Sequence, residues 1–137
     1  MNDCIFCKII KKEIPASIVY EDEKTLAFLD IAPAQPKGGH TLVLPKNHYE
    51  LVNEMEDEDA KAVMLTIKRI SKALLKFGEG MNIFQNNKEV AGQLIPHVHF
   101  HLVPRFKNDN FVLFKENEKW ENARIKEMAN KIKELLK

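Results

Sequence analysis

The chain is 137 residues long, 45% hydrophobic and 30% charged, enough for one domain that buries about two-thirds of its unfolded surface without help from disulfides. Its 21 basic and 20 acidic residues give a formal net charge of +1, which excludes the broad basic footprint of a nucleic-acid-polymer binder but allows a local pocket for a small anion. No apolar run approaches bilayer-spanning length and Met1-Asn2-Asp3-Cys4 does not open as a signal peptide does, so the expectation is a cytoplasmic protein with no membrane partner.

The two cysteines come first, as Cys4-Ile5-Phe6-Cys7. Two thiols exclude a disulfide framework, and a redox pair of the thioredoxin kind would lie between a strand and a helix of a βαβ unit. A metal clip is more natural, but it supplies half of a tetrahedral site, and the nitrogen ligands available to complete it are five histidines. Ile18–Glu21 and Thr25–Leu29 read as strands around the polar turn Asp22-Glu23-Lys24. The stretch from Ala32 to Gly39 holds two prolines and two glycines and reads as a loop; Thr41–Leu44 is a short strand ended by Pro45.

Acidic residues 56–59 suit a helix N-terminus. Ala60, Val63, Met64, Ile67, Ile70 and Leu74 follow at helical spacing, with Gly78 as the stop. Met81–Asn86 reads as a strand, and a loop through Gly92 leads to the histidine-rich stretch 97–105. Residues 106–117 carry no clear pattern. A second amphipathic helix spans Ala123–Leu136, with Ile125, Met128, Ala129, Ile132 and Leu136 on one side. Strands grouped together, without alternating helices, predict an α+β fold: a five-stranded antiparallel sheet with two helices, in one domain across residues 1–137.

The chemistry concentrates in His97-Val98-His99-Phe100-His101-Leu102-Val103-Pro104-Arg105. In a strand, period-two alternation puts three imidazoles on one face and Val98, Phe100 and Leu102 on the other. Imidazole titrates near neutrality and serves as nucleophile, proton carrier or metal ligand. Burying three together is costly without a use. Strand positions i, i+2 and i+4 diverge over about 13 Å at roughly 3.3 Å per residue, so all three cannot reach one metal; one or two can.

Residues 97–103 match the pattern His-φ-His-φ-His-φ-φ of the histidine-triad nucleotide-binding hydrolases. Lys8-Ile9-Ile10-Lys11-Lys12-Glu13-Ile14-Pro15-Ala16, Leu29-Asp30-Ile31-Ala32-Pro33 and Gly39-His40-Thr41-Leu42-Val43-Leu44-Pro45-Lys46 resemble that family too. The likeness covers most of residues 4–105 and fades through the extension and helix of 106–137. It implies an AMP- or GMP-like purine nucleotide with its α-phosphate against the histidine strand, and a homodimer, for which the helix face at 60–77 is suited. By resemblance His99 is the nucleophile, forming a nucleotidyl-histidine that water hydrolyses. His101 is then the donor to phosphate or leaving group, and His40 a further histidine of the site. Asp30 falls where the ribose hydroxyls are bound. Ile5, Phe6, Ile9, Phe28, Ile31 and Leu42 fall at the base pocket, and Asn86, Gly92 and Gln93 on the phosphate side.

Directly after Gln93 the phosphoramidate-cleaving branch carries a serine, whereas this chain has Leu94, which can neither donate nor relay a proton. Several bacterial members carry zinc, and the matching ligands here are Cys4, Cys7, His48 and His97. These would form a closed structural site with one zinc per chain. His97 is thereby claimed by both zinc and the catalytic strand. Two other functions remain open: a nucleotide-binding regulatory module with incidental slow hydrolysis, and a zinc-dependent hydrolase using metal-activated water. A nucleotidyltransferase is disfavoured, since the related transferases replace the third histidine of the triad with glutamine.

Overall fold

The turn at Asp22 shows how local chemistry starts the sheet. Its Oδ1 accepts the backbone N–H groups of Lys24 at 2.9 Å and Thr25 at 2.8 Å, reversing the chain between β1 (Ile18–Glu21) and β2 (Thr25–Leu29). The structure, a computed structural model, describes residues 3–112 and 118–137. Among these, β1 and β2 join β3 (Thr41–Pro45), β4 (Gly80–Gln85) and β5 (Phe100–Arg105) in one antiparallel sheet, ordered β1-β2-β3-β5-β4.

Register decides which side chains share a face. Phe28 pairs Leu42, and Leu42 pairs His101, so these three project to one side. Ala27, Val43 and Phe100 project to the other. That second face is covered by α2 (Asp57–Phe77) and α3 (Asn122–Leu136), which bury Val63, Ile67, Ile70, Leu74, Ile125, Ala129 and Ile132 against Val19, Leu29 and Leu102. The first face receives a short helix, α1 (Ile5–Ile10), through Phe6 and Ile9, which pack with Leu26, Phe28, Leu42 and Leu44. Sandwiched in this way, β2 and β3 are buried along their whole length.

Three departures from the sequence reading have physical causes. First, α1 is a third helix. It holds only six residues, too few for a periodic pattern, and Cys4 caps it by accepting the Cys7 N–H at Sγ, 3.4 Å. Second, Ala60 and Met64 leave the expected stripe of α2 and face outward, Met64 58% exposed, because the buried face centres on Val63, Thr66, Ile67, Ile70 and Leu74. Third, Gly78 ends α2 at φ −100°, without the left-handed turn. Its value is room: a Cβ there would meet the Pro104 Cβ at 3.0 Å.

The segment 106–112 is tied down by Asp109, whose carboxylate takes two hydrogen bonds from Arg105 (2.7 and 3.1 Å) and one from the Phe106 N–H (3.0 Å). Val112 N–H then bonds the Ala34 carbonyl at 2.7 Å, laying the segment along the 32–39 loop. The rest of the stretch without clear sequence pattern, residues 113–117, lies outside the described residues. No helix among the described residues is long and apolar enough to cross a membrane.

Candidate functional site

Regular pairing of β5 starts at Phe100, so only His101 of the three alternating histidines stands on formal strand. His97 and His99 lie in the preceding segment, where neither flanking strand extends the ladder. Tyr49 holds that segment instead, its carbonyl accepting the Val98 N–H at 2.7 Å. Tyr49 is itself fixed, because its hydroxyl donates to the buried Asp59 carboxylate of α2 at 2.6 Å, and Asn47 donates to the same carboxylate at 2.9 Å. This brace positions His48 between its two anchored neighbours.

Backbone groups with only one possible role fix each ring's tautomer. A carbonyl can only accept, so His99 Nδ1, 2.7 Å from the His97 carbonyl, carries the proton and Nε2 keeps its lone pair. An amide N–H can only donate, so His40 Nδ1, 3.1 Å from the Ala34 nitrogen, is the acceptor. His40 Nε2–H then donates to His101 Nδ1 at 2.9 Å, which leaves the proton of a neutral His101 on Nε2. His97 Nε2–H donates to the Pro45 carbonyl at 3.0 Å, freeing Nδ1. The outcome is one ring with a nucleophilic lone pair, a neighbour 4.9 Å away between centroids with a donor, and a third that sets the donor's tautomer.

Burial keeps these rings neutral. It lowers His40 to about 4 and His101 to about 3, with charge on His99 acting in the same direction on each. His97 is lowered to about 4 by burial, against its hydrogen bond to Pro45. His99 is also lowered by burial, partly offset by the His97 carbonyl and by Asp30. Asp30 is raised by burial, against its bond from the Ala32 N–H. Asp30 Oδ1 takes that bond at 2.8 Å, while Oδ2 lies 3.9 Å from His40 Nε2.

Phe6 sets its ring edge-on to both His99 (5.0 Å) and Phe28 (5.5 Å), and Leu42 is buried beside them. Ile9 is buried too, whereas Ile5 and Ile31 are nearly half exposed. Gln93 is buried with its amide engaged: Oε1 accepts the Lys88 N–H and Nε2 donates to the Glu50 carbonyl, both at 2.7 Å. It thereby clamps a loop in which Lys88 (φ 76°) and Gly92 (φ 96°) both have left-handed φ, and Asn86 Nδ2 closes the same loop on the Gly92 carbonyl at 3.5 Å. Leu94, the next residue, is 80% exposed.

A separate cluster gathers Cys4, Cys7, His48 and His97, whose donor atoms all lie within 4.8 Å of one another. Cys4 Sγ is 3.4 Å from His97 Nδ1, Cys7 Sγ is 3.3 Å from His48 Nδ1 and 3.6 Å from His97 Nδ1, and the two Nδ1 atoms are 3.2 Å apart. A tetrahedral zinc with Zn–S of about 2.3 Å and Zn–N of about 2.0 Å demands S···N near 3.5 Å and N···N near 3.3 Å. The donor set fits that ion. Asp30, His40 and His101 also lie within 4.8 Å of one another. There the Ala34 amide claims the His40 Nδ1 lone pair and places a proton on Nε2, which His101 Nδ1 accepts, so His40 and His101 form a hydrogen-bonded pair with the Asp30 carboxylate 3.9 Å away, and not a converging ligand set.

The groups that the sequence reading missed are the Pro45 and His97 carbonyls, the Ala34 amide and the Asp59–Tyr49 brace. Main-chain groups carry no side-chain signal, and the brace joins a loop to a helix through Tyr49 and Asp59, which lie 10 positions apart and share no periodic pattern.

The alternating histidines, their hydrogen-bonded fourth member and the five-stranded sheet define a histidine-triad protein. A model of the HIT domain matches residues 11–108, and the chain belongs to the HIT family. It is 52% identical over 111 residues to a HIT-like protein of Methanocaldococcus jannaschii, covering 80% of this chain and 84% of that one. It is 43% identical over 102 residues to the adenosine 5'-monophosphoramidase hnt1 of Schizosaccharomyces pombe, covering 74% of each. Among solved structures, the fold matches a HIT-like protein from Bartonella henselae with TM-score 0.88, at 34% identity over 98% of this chain and 97% of that one. A zinc-bound histidine-triad protein from Mycobacterium smegmatis matches with TM-score 0.82, at 32% identity over 98% and 94%.

Proposed function

We propose that this protein is a hydrolase or transferase of purine nucleotide conjugates, cleaving a phosphoanhydride or phosphoramidate bond at the α-phosphorus through a nucleotidyl-histidine on His99. The observation that carries the reading is the 2.7 Å contact of His99 Nδ1 with the His97 carbonyl, which presents the Nε2 lone pair beside the His101 donor. The relationship to a protein named adenosine 5'-monophosphoramidase supports the substrate class.

In the first step His99 Nε2 forms a bond to the α-phosphorus as the bond to the leaving group breaks. His101 Nε2–H meets the charge that builds on the phosphate oxygens or the departing atom. His40 is a positioning residue, holding that proton on the outward nitrogen of His101. In the second step water displaces His99 and releases the nucleoside monophosphate. Asp30 receives the ribose hydroxyls. Phe6, Leu42, Ile9, Phe28, Ile5 and Ile31 line the base pocket, and the Asn86–Gly92–Gln93 loop faces the phosphate, Gln93 chiefly by holding the loop's shape.

Zinc fits Cys4, Cys7, His48 and His97, one per chain. Four protein ligands would close the coordination sphere, so the metal's contribution would be structural: it would tie α1 to the segment after β3 and to the segment before β5. A bound dication would also reverse the local acidity at Cys7, whose thiol burial and Cys4 together raise to about 11. His97 could serve both sites without conflict, since its Nε2–H goes to Pro45 and its carbonyl to His99, and Nδ1 would remain for the metal. A homodimer suits the exposed Met64, Leu65 and Leu75 of α2 and Ile83 of the edge strand β4.

The test is mass spectrometry of acid-quenched enzyme during turnover of a dinucleoside polyphosphate and of a nucleoside phosphoramidate. A nucleotidyl adduct on His99 is expected. Turnover with no adduct, abolished at once by chelation while the fold persists, would transfer the chemistry to metal-activated water.

A further inference from the structure

The four cations Lys37, Lys76, Arg124 and Lys131 line one concavity of about 580 Å³, on the side of the sheet covered by α2 and α3. Among the described residues no carboxylate lines it, and Glu127 lines the adjoining concavity that shares Lys37, Arg124 and Lys131. In a chain of 21 basic and 20 acidic residues, four like charges around one cavity is a segregated arrangement, and the mutual repulsion disfavours it unless an anion is brought in. Among the described residues none of the four takes part in an ion pair.

Aromatic rings hold three of the four cations in place instead. Lys37 Nζ lies 4.6 Å from the centre of the Phe106 ring, and Lys131 Nζ lies 5.0 Å from that of Phe77. The Arg124 guanidinium stacks on Trp120 at 3.5 Å. Phe77 and Phe106 themselves meet edge to face at 5.4 Å, forming a rigid floor. Ring contacts restrain the long side chains without consuming their N–H donors. The backbone takes few of those donors: Arg124 reaches the Pro36 carbonyl and Lys76 the Leu135 carbonyl, each at 3.4 Å. Most remain available to a ligand of high negative charge. Three ammonium groups and one guanidinium match the oxygens of a phosphate chain, which accept several charge-assisted hydrogen bonds per phosphorus.

We infer that this concavity is a second binding site, distinct from the histidine cleft, for a small polyphosphate anion. The chain of phosphates is either free or the tail of a nucleotide. A monophosphate, with at most two charges, leaves half of the cations uncompensated and binds weakly.

The experiment is calorimetric titration of full-length, zinc-loaded protein with inorganic tripolyphosphate at low salt, in saturating AMP to occupy the histidine cleft. One tripolyphosphate per chain is expected. The variant Lys76→Ser with Lys131→Ser should lose at least tenfold in affinity. The variant Lys68→Ser with Lys72→Ser removes the same charge from the exposed flank of α2 and should bind as the native chain does. Repeating the titration with ATP separates the sources: tighter binding than tripolyphosphate identifies a nucleotide tail, and equal binding a free polyphosphate. Neither variant alters AMP affinity, so failure of the nucleotide hydrolase reading leaves this result standing. An absence of tripolyphosphate binding, or equal weakening in both variants, overturns the proposal.

Discussion

Two groups of histidines stand within a few residues of each other and are built for opposite ends. Around His97 and His48 two nitrogens and two sulfurs converge within 4.8 Å of one another, with three S···N distances of 3.3–3.6 Å and an N···N distance of 3.2 Å close to those of a tetrahedral zinc. From the Ala34 amide through His40 to His101, donors and acceptors run head to tail, so each ring hands a proton position to the next. Side-chain types are not what separates them. The difference lies in which ring nitrogen the backbone claims: a carbonyl takes Nε2–H of His97 and frees Nδ1, whereas an amide takes the Nδ1 lone pair of His40 and protonates Nε2. A histidine's chemistry is set by the partner on its far side.

The largest expected effect tests the junction of the two groups. His99→Ala removes the ring that donates to the His97 carbonyl, yet leaves Phe100, Leu102 and the Cys4, Cys7, His48 and His97 cluster untouched. Turnover should fall by several orders of magnitude, with the fold intact and AMP still bound. Calorimetry and steady-state kinetics check both halves, and near-native turnover sinks the assignment. Cys7→Ser tests the converging cluster by opening the tetrahedron. Its melting temperature should drop by about 10 °C, the shift that roughly 3 kcal/mol produces in a chain of this length, with activity at a permissive temperature reduced far less. Gently purified native protein should hold one zinc per chain. Metal-free protein of unaltered stability contradicts the reading.

The head-to-tail chain gives a graded response. His101→Ala removes the donor, and its deficit should shrink with substrates carrying good leaving groups. His40→Ala leaves the donor in place but frees its tautomer, so a loss of about 10- to 100-fold with the same leaving-group dependence is expected. A His40→Ala deficit that ignores the leaving group would reduce His40 to packing.

Acid should separate folded from unfolded histidines. His40 and His101 stay neutral in the fold down to about pH 4 and about pH 3, while in the unfolded chain they charge near pH 6.5. Between those limits the unfolded state binds more protons, so stability falls as pH drops from about 6.5 towards 4, and above that window these groups impose no slope. Melting temperatures of native protein and of His40→Asn with His101→Asn, measured from pH 7 to 4.5, check the sign. The double variant should show the flatter profile.

How much of this was legible in the sequence follows from the same contrast. The strands and the two long helices were readable, since periodicity and residue type carry them; Cys4, Cys7, His48 and His97 were grouped by the family resemblance, and the fold brings those four side chains into one cluster that could hold a metal. The tautomers were not, because the Pro45 and His97 carbonyls and the Ala34 amide are set by register and loop path. Gln93 shows the limit for side chains. Its placement on the phosphate side follows from resemblance, but its work as a clamp between Lys88 and Glu50 depends on a loop folding back across 43 positions. The short α1 escaped because its six residues are too few to show a helical period.

The smallest expected effect falls at Leu94, where the chain departs from the phosphoramidate-cleaving pattern. Leu94 follows the clamped Gln93 and is 80% exposed, so the core does not require its bulk and a polar replacement should not cost stability. As leucine it offers an amine leaving group neither donor nor acceptor, and the proton needed for P–N cleavage rests on His101 alone. Leu94→Ser restores a hydroxyl at that point in the sequence. Aminoacyl phosphoramidates should be poor substrates for the native chain and improve about tenfold in kcat/KM with Leu94→Ser, while dinucleoside polyphosphates, whose leaving group departs as an anion, change little. A native enzyme that cleaves aminoacyl phosphoramidates rapidly, with no response to Leu94→Ser, would mean that the His40–His101 chain supplies the leaving-group proton unaided.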